Sequence, residues 1–425
     1  MYALKNSNPT VMYLQAIRDL VEKGDTCSPR GKLIKELRPA AIEFTDPFNR
    51  VTFLGGRQIN PFFQIAESLW ILSGRADVQW LVQFNKNMKE FSDDGVWFNA
   101  PYGERLRSWG KNAAHNIIIN PIDQMTDVYN KLLADKDTRQ AVMVISNPSF
   151  DNSNYTIGEH GKDIACNLVV TLIIRNNQLN MTVFNRSNDA HWGLWGANLC
   201  QFTTIQETIW SWLKNSGNPD FKDLKMGTYC QMTNSLHIYL DDYGARCTTE
   251  VLSYYSDKHP DEETKHGFQC ENEPRMSLNK EEFEKFLTLY WSAIDPLMSS
   301  DEVIQDDKQR EQLVEVLTYY WKKHLIDDYW YFGLRAMIAY RLVRLERYFE
   351  AMCLINELQD CQWKISMVKF MKNILCKKII VEDPHYEEFK QLYDAAKSSL
   401  TDSLVYPHYD GPVLKSYLGC LFKEV

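Results

Sequence analysis

No run of apolar residues in this 425-residue chain approaches the roughly 20 that a helix needs to cross a bilayer, so a membrane-spanning class is excluded. The opening MYALKNSNPT lacks the hydrophobic stretch of a secretory signal, and export is not expected. Paired cysteines are missing as well. The ten cysteines stand at Cys27, Cys166, Cys200, Cys230, Cys247, Cys270, Cys353, Cys361, Cys376 and Cys420, with no C-x-x-C among them. That spacing suits neither a structural zinc site nor a compact disulfide framework, so no metal is expected and a reducing cytoplasm is. Cations are in deficit: 47 Lys and Arg against 56 Asp and Glu leave a formal charge of −9. A broad nucleic-acid-binding face needs clustered cations, so nucleic acid is not an expected partner and any phosphate recognition must be local. Neither an internal repeat nor a low-complexity tract appears.

What is present is ample material for a core: 44% of the residues are hydrophobic and 13% aromatic, over a length comfortable for two domains. Residues 1–245 mix helical and strand patterns. Val11–Glu22, the apolar Pro61–Ser73 and Pro121–Leu133 read as helices. Gln140–Ser146 reads as a strand ending at Asn147-Pro148, Asn198–Lys214 as a helix, and Asn234–Leu240 as a last strand. Residues 246–280 are polar, with Gly, Pro and many charges, and read as a linker or loop. From 281 to 425 the pattern is helical. Phe283, Phe286, Leu287, Tyr290 and Trp291 fall on one helix face, and the periodicity continues through Leu313–Leu325, Tyr331–Glu357 and Trp363–Lys377. The expected class is α+β, a mixed sheet with packed helices, followed by an all-α C-terminal extension.

Chemistry concentrates in the stretch KDIACNLVVTLIIRNNQLNMTVFNRSNDAHWGLWGAN. Leu168–Ile174 and Leu179–Phe184 are rich in β-branched and apolar residues, and Arg175-Asn176-Asn177-Gln178 is the polar turn of a hairpin between them. A hairpin returns the chain to its start. Cys166 and the tetrapeptide Arg186-Ser187-Asn188-Asp189 therefore belong at one end of a sheet. A thiol beside a phosphate-sized cationic pocket suits covalent chemistry on a nucleotide, since a neighbouring guanidinium favours the reactive thiolate.

Other polar residues stand in segments able to converge there. Arg30 follows Ser28-Pro29 ahead of the strand-like LIKELRPAAIEF, Glu67 lies on the apolar helix, Tyr102-Gly103 closes FSDDGVWFNAPYG, and Arg139 precedes a strand. His237 and Tyr239 alternate along NSLHIYL and so share a face. Each has a blander reading. A cysteine beside a strand is commonly a small core residue, Glu67 a satisfied structural acid, Arg139 a surface ion-pair partner, and His237 and Tyr239 core residues. Cys200 reads as helix core, and Arg341, Arg344 and Arg347 as a solvated stripe without function.

Together these segments resemble the thymidylate synthase superfamily, which includes the phage dCMP and dUMP hydroxymethylases, over residues 12–243. Five separated motifs occur in the family's order, and both the interval of twenty from Cys166 to Arg186 and the pattern R-S-x-D-x-x-x-G (Arg186, Ser187, Asp189, Gly193) match. The resemblance implies a thymidylate synthase-like mixed sheet and a homodimer. It also implies that Cys166 adds to C6 of a pyrimidine so that C5 can take a one-carbon unit from 5,10-methylenetetrahydrofolate, with Glu67 shuttling protons at the base. Arg30, Arg186 and Ser187 match the in-subunit phosphate clamp, and Arg139 matches the arginine lent by the partner. His237 and Tyr239 match the pair that bonds the sugar hydroxyl, Asp189 the carboxylate that organises the pterin, and Tyr102 the tyrosine near the transferred carbon. His191, Trp192 and Gly193 fall where the folate pocket would be, although simple packing would explain the first two equally.

The departures from the family pattern are informative. Gln140 stands where a second arginine usually follows the dimer-crossing one, so the clamp has one cation fewer. Ala165 and Asn167 flank the cysteine where thymidylate synthases carry Pro and His; phage hydroxymethylases also lack that pair and share the R-S-N-D and S-L-H spellings. The base-reading position, eleven after the arginine, is Ala197, and a turn longer by one residue would bring Asn198 to the base; an Asn there would also cap a helix. Trp97 lies only five residues ahead of Tyr102, short of the usual shielding tryptophan, and the chain runs on from His237 to Val425. Both features favour water entry at the one-carbon unit. The expected reaction is hydroxymethylation of dUMP or dCMP, dUMP preferred, in a host cytoplasm if the source is viral. Reductive methylation of dUMP by a thymidylate synthase is one alternative, and a non-catalytic nucleotide-binding scaffold is another, which the intact Cys166, Glu67 and Arg186 argue against.

Overall fold

The computed structural model describes residues 1–52, 59–114, 116–151, 162–256 and 273–378. Cys270, Cys420, residues 257–272 of the expected linker and the stretch 379–425 of the expected extension lie outside the described residues. The chain divides into two compact units, one of residues 1–52 and 66–249, the other of residues 53–65 and 250–425.

The first unit carries the strands. In chain order they are β1 (Tyr2–Asn6), β2 (Asp25–Cys27), β3 (Ile34–Leu37), β4 (Ala40–Phe44), β5 (Trp109–Asn112), β6 (Ile117–Ile122), β7 (Val142–Val144), β8 (Asn167–Arg175), β9 (Gln178–Asn185), β10 (Asn188–Asp189), β11 (Lys225–Thr233) and β12 (Leu236–Tyr239). A six-stranded mixed sheet runs in the order β1-β4-β11-β9-β8-β7, a four-stranded sheet in the order β10-β12-β3-β2, and β5 pairs with β6. The apolar stretch LIKELRPAAIEF supplies two strands in two different sheets, because Arg38-Pro39 interrupts it and proline has no N–H to continue a ladder.

The hairpin of β8 and β9 lies within the large sheet, between β11 and the edge strand β7. Its strands alternate, with Val170, Leu172, Ile174, Leu179, Met181 and Val183 buried on one face. Asn176 and Asn177 at its tip both take positive φ, 52° and 57°, the geometry of a tight turn whose twist suits a hairpin. The helix Leu199–Lys214 backs this sheet and is buried nearly throughout. Its polar residues are satisfied by the sheet itself: Gln206 Nε2 donates to the carbonyls of Leu179 in β9, at 2.9 Å, and Thr228 in β11, at 3.0 Å. Arg50 reaches the same helix, donating to Thr204 Oγ1 at 3.1 Å and pairing with Glu207, both ions being buried.

Local boundaries differ from the pattern-based ones for identifiable reasons. The helix expected at Pro121 begins at Gln124 under an Asp123 cap, while Pro121 and Ile122 close β6. Strand β11, absent from the sequence reading, is a run of mixed polarity whose buried positions include Gly227 and Gln231. Asp242–Ser256 is a helix where the sequence reads as polar loop; its buried apolar residues include Cys247 and Val251, set among polar neighbours.

In the second unit the described residues after Ser256 form helices. Phe283, Phe286, Leu287 and Tyr290 are buried on one face as the periodicity requires, and Phe286 stacks on Trp330 at 5.5 Å. Tyr331–Glu357 is two helices, Asp328–Arg344 and Tyr348–Asn356, parted where Glu346 takes a φ of 63°. Arg341 and Arg347 are not merely solvated: the first pairs with Asp301, the second with Asp307 and Glu350.

The buried Arg50–Glu207 pair gives a test of the core. Glu207→Ala leaves a guanidinium without its counter-ion and should cost about 3–5 kcal/mol in urea unfolding. The double change Arg50→Met/Glu207→Leu should cost less than that single one.

Candidate active site

The hairpin register sets the first half of the site. Asn167 opposes Asn185 across β8 and β9, so Cys166 and Arg186, one residue beyond each, meet. The Arg186 backbone N–H donates to the Cys166 carbonyl at 3.0 Å. Its side chain turns back on the same loop: Nε donates to the Ala165 carbonyl at 2.9 Å and Nη2 to the Ile164 carbonyl at 3.1 Å. The same Nη2 lies 3.4 Å from Cys166 Sγ. One guanidinium thus fixes the loop before the cysteine and places a cation on its half-exposed sulfur.

The small four-stranded sheet brings in the second half. β10 pairs in parallel with β12, setting Asn188 beside Leu236 and Asp189 beside His237. His237 and Tyr239 share a face as their spacing requires, with ring centroids 5.1 Å apart. Burial lowers the His237 pKa against the opposing pull of the Asp189 carboxylate, so the imidazole is neutral at pH 7. The Tyr239 hydroxyl is raised by burial and by Asp189, while a hydrogen bond from Arg30 works the other way. Arg30 sits on a left-handed turn with a φ of 54°, exposed, and Lys32 Nζ stands 5.5 Å from the Tyr239 ring centre. Ser187, between Arg186 and β10, is half-buried.

Asp189 also starts the next element. Its carboxylate accepts from the backbone N–H groups of His191, at 2.9 Å, and Trp192, at 3.2 Å, capping a π-helical stretch from Ala190 to Asn198. A π-turn holds about one residue more than an α-turn. Gly193 leaves room inside it: a Cβ there would come within 2.2 Å of Asn188 Oδ1, and the Asn188 side chain would have to move. Trp192 remains 42% exposed. Asn198 makes no capping bond; its buried amide donates instead to Gln201 Oε1 at 3.0 Å. Gln201 in turn bonds Glu67, whose carboxyl burial pushes up to about 7. Glu67 Oε2 is buried and has no hydrogen-bond partner among the described residues.

Tyr102 opens the helix Tyr102–Arg107, and its hydroxyl accepts from Asn167 Nδ2 at 2.9 Å. Burial first, and the charge of Cys166 second, raise the Tyr102 hydroxyl well above its ordinary value. Two residues here escaped the sequence analysis. Asp163, three before the cysteine, accepts from the Ala100 N–H at 2.7 Å and is pushed up to about 6 by burial. Gln201 was one helical turn beyond Asn198, a spacing that would have paired them. No hydrogen bond, ion pair or ring contact among the described residues joins Trp97 or Arg139 to the Cys166 cluster. Trp97 bridges Asp77 and is 37% exposed, and Arg139 is exposed just ahead of β7. Among the described residues no group of His, Cys, Asp and Glu is placed to hold a metal ion, and no helix is long and apolar enough to cross a membrane.

Comparison with known proteins gives a consistent answer. The thymidylate synthase family model matches residues 11–294, which extends past the motifs into the first helices that follow them. A deoxyuridylate hydroxymethyltransferase of Bacillus phage SP01 is 45% identical over 376 residues, covering 87% of this chain and 94% of that protein. Proteins of the same name from Pseudomonas phage M6 and Delftia phage PhiW-14 are 31% and 34% identical, over 56% and 41% of this chain and 62% and 46% of their own lengths.

Glu67 offers a test that needs no substrate. A carboxyl raised from 4.5 to about 7 binds its proton more tightly folded than unfolded, so its contribution to stability is complete below pH 4.5 and is lost as pH rises through 7. Glu67→Gln removes that dependence. The variant should gain stability relative to the parent between pH 5 and pH 8, by at most ~3 kcal/mol, in urea unfolding at each pH.

Proposed function

This chain belongs to the thymidylate synthase family, and from that membership we propose that it hydroxymethylates C5 of a pyrimidine deoxynucleotide, dUMP in preference to dCMP. The observation that carries the proposal is the Cys166 sulfur held against Arg186 at the end of the hairpin. The phage relatives bear the name of that activity.

Pyrimidine C5 is a poor nucleophile until sulfur adds at C6. Cys166 forms that bond and leaves the electron pair on C5. Glu67, with a carboxyl that titrates near neutrality, exchanges protons with the ring. Arg30, Arg186 and Ser187 take the phosphate, and His237 and Tyr239 the sugar hydroxyl. Asn198 reads the base, its amide oriented by Gln201. 5,10-Methylenetetrahydrofolate, the co-substrate of the family, supplies the one-carbon unit at the oxidation level of formaldehyde. Asp189, Trp192 and Gly193 would hold it, with Trp97 on the surrounding wall. The buried Glu67 Oε2 and Asn188 Nδ2 have no hydrogen-bond partners among the described residues, and polar heterocycles bound between them would supply these. The C5 electron pair bonds the methylene carbon as one of its two bonds to folate nitrogen breaks, and the C5 proton leaves. Breaking of the second carbon–nitrogen bond releases tetrahydrofolate and leaves an exocyclic methylene. Water adds there, and loss of the Cys166 sulfur from C6 gives the hydroxymethyl product without drawing a hydride.

The active form is a homodimer. On the outer face of the large sheet Val142, Val144, Ile173, Phe184 and Met232 are exposed, and cross-strand pairing aligns Phe184 with Met232 on that face. A sheet face this apolar fits a second copy of itself. Arg139 stands at the start of the same sheet's edge strand without a partner among the described residues, available to the neighbouring subunit's phosphate site.

Incubation with dUMP and labelled methylenetetrahydrofolate should give 5-hydroxymethyl-dUMP by mass spectrometry and no dihydrofolate absorbance. Dihydrofolate formation would reverse the assignment to a methyl-forming enzyme. Cys166→Ala and Arg139→Ala should each be inactive alone. Mixed after unfolding, they should recover roughly a quarter of wild-type activity, because half the dimers then own one complete site; no recovery would remove Arg139 from the partner's site.

A further inference from the structure

We infer that Tyr229, Gln231 and Asn167 form a one-way hydrogen-bond chain that holds Tyr102 as a donor toward the reacting atoms, which makes all three positioning residues. The inference rests on the proposed function in one respect, that Tyr102 faces the substrate.

The inner face of the large sheet carries one connected row of amides and a phenol among its apolar residues. Asn167, Asn185, Gln231 and Tyr229 lie there, and none is more than 5% exposed. The Tyr229 hydroxyl donates to Gln231 Oε1. Gln231 Nε2 donates to Asn167 Oδ1 at 3.1 Å and to Asn185 Oδ1 at 2.8 Å. Asn185 Nδ2 also donates to Asn167 Oδ1, and Asn167 Nδ2 donates to the Tyr102 hydroxyl at 2.9 Å. The row therefore runs from the sealed core to the residue beside the nucleophile.

A chain of amides has two self-consistent polarities, since turning every amide over exchanges each donor for an acceptor. The sealed end decides between them. Phe44 stacks on the Tyr229 ring at 5.6 Å and Phe202 at 6.5 Å, and Gln231 is the hydroxyl's only hydrogen-bond partner among the described residues. Reversed, Gln231 would donate to the Tyr229 oxygen and the Tyr229 hydrogen would be buried with no acceptor, the costly arrangement. Ionisation offers no escape, because burial holds the Tyr229 hydroxyl protonated. Tyr229 must donate inward, so Gln231 presents its oxygen to it and its N–H onward, and Asn167 presents N–H to Tyr102. The Tyr102 oxygen then accepts from within the protein and its own hydrogen is left for the substrate side. Such a hydroxyl donates to negative charge on the Cys166 sulfur or on the ring bonded to it, and does not serve as a base.

Tyr229→Phe removes the anchor that sets the direction, at a residue sealed in the core. It should lower kcat roughly 2- to 10-fold, the rate equivalent of one hydrogen bond, with KM unchanged. In a Tyr102→Phe background the same change should lower kcat no further. Gln231→Met, which cuts the chain at its middle, should show the same dependence on Tyr102 and serves if Tyr229→Phe folds poorly. An equal loss in both backgrounds, or none in the presence of Tyr102, overturns the inference. If Tyr102→Phe alone leaves kcat unchanged, it is the placement of Tyr102 at the substrate that fails. Neutron diffraction from deuterated crystals tests the polarity without activity: a deuteron on the Tyr102 oxygen directed away from Asn167 supports it, and one directed at Asn167 overturns it.

Discussion

The contact between Arg186 and the Cys166 loop is the constraint on which the rest depends. The guanidinium binds two consecutive carbonyls, those of Ile164 and Ala165, and lies against the sulfur that follows them. A flexible loop would leave that sulfur free to rotate among positions, and ordering it at each turnover would cost entropy. Here the order is supplied in advance by a strand pairing many residues away. A one-residue slip of β8 against β9 would turn Arg186 to the other face and uncouple it from the cysteine. The tight Asn176-Asn177 turn and the apolar alternation of both strands therefore act on the chemistry, since they forbid that slip.

Around this contact the environment is graded. Arg186 and Arg30 are partly exposed, suited to a charged phosphate that arrives from solvent. Deeper in, Glu67 and Asp163 are carboxyls that burial holds near neutrality. Deepest is the amide row ending at Tyr229, where no group ionises and only hydrogen-bond direction carries information. Each layer uses the property that its burial leaves available: charge at the rim, titration in the middle, polarity at the core.

Much of the centre was legible in the sequence, because hairpins are local. The β-branched runs on either side of Arg175–Gln178 fixed which residues return to the start, so the meeting of Cys166 and Arg186 needed no long-range inference. His237 and Tyr239 were legible for the same reason, a period of two on a short strand. What stayed hidden was set by tertiary pairing. β11 alternates Gly, Tyr and Gln on its buried face, and only the neighbouring Asn167 and Asn185 make Gln231 tolerable there. The helix Asp242–Ser256 was not read from the sequence, where Cys247 and Val251 stand amid polar residues. The π-helical form of Ala190–Asn198 was not legible, because an Asn at a helix start ordinarily signals a cap.

A covalent bond from one sulfur is the claim with the sharpest observable. Incubation of the protein with 5-fluoro-dUMP and methylenetetrahydrofolate, followed by proteolysis and mass spectrometry, reads it directly. A transient Cys166–C6 bond requires the peptide that holds Cys166 to carry the nucleotide's mass, because fluorine at C5 cannot leave as a proton does. Recovery of that peptide with a free thiol, or of the adduct on Cys200 or Cys230 instead, would contradict it.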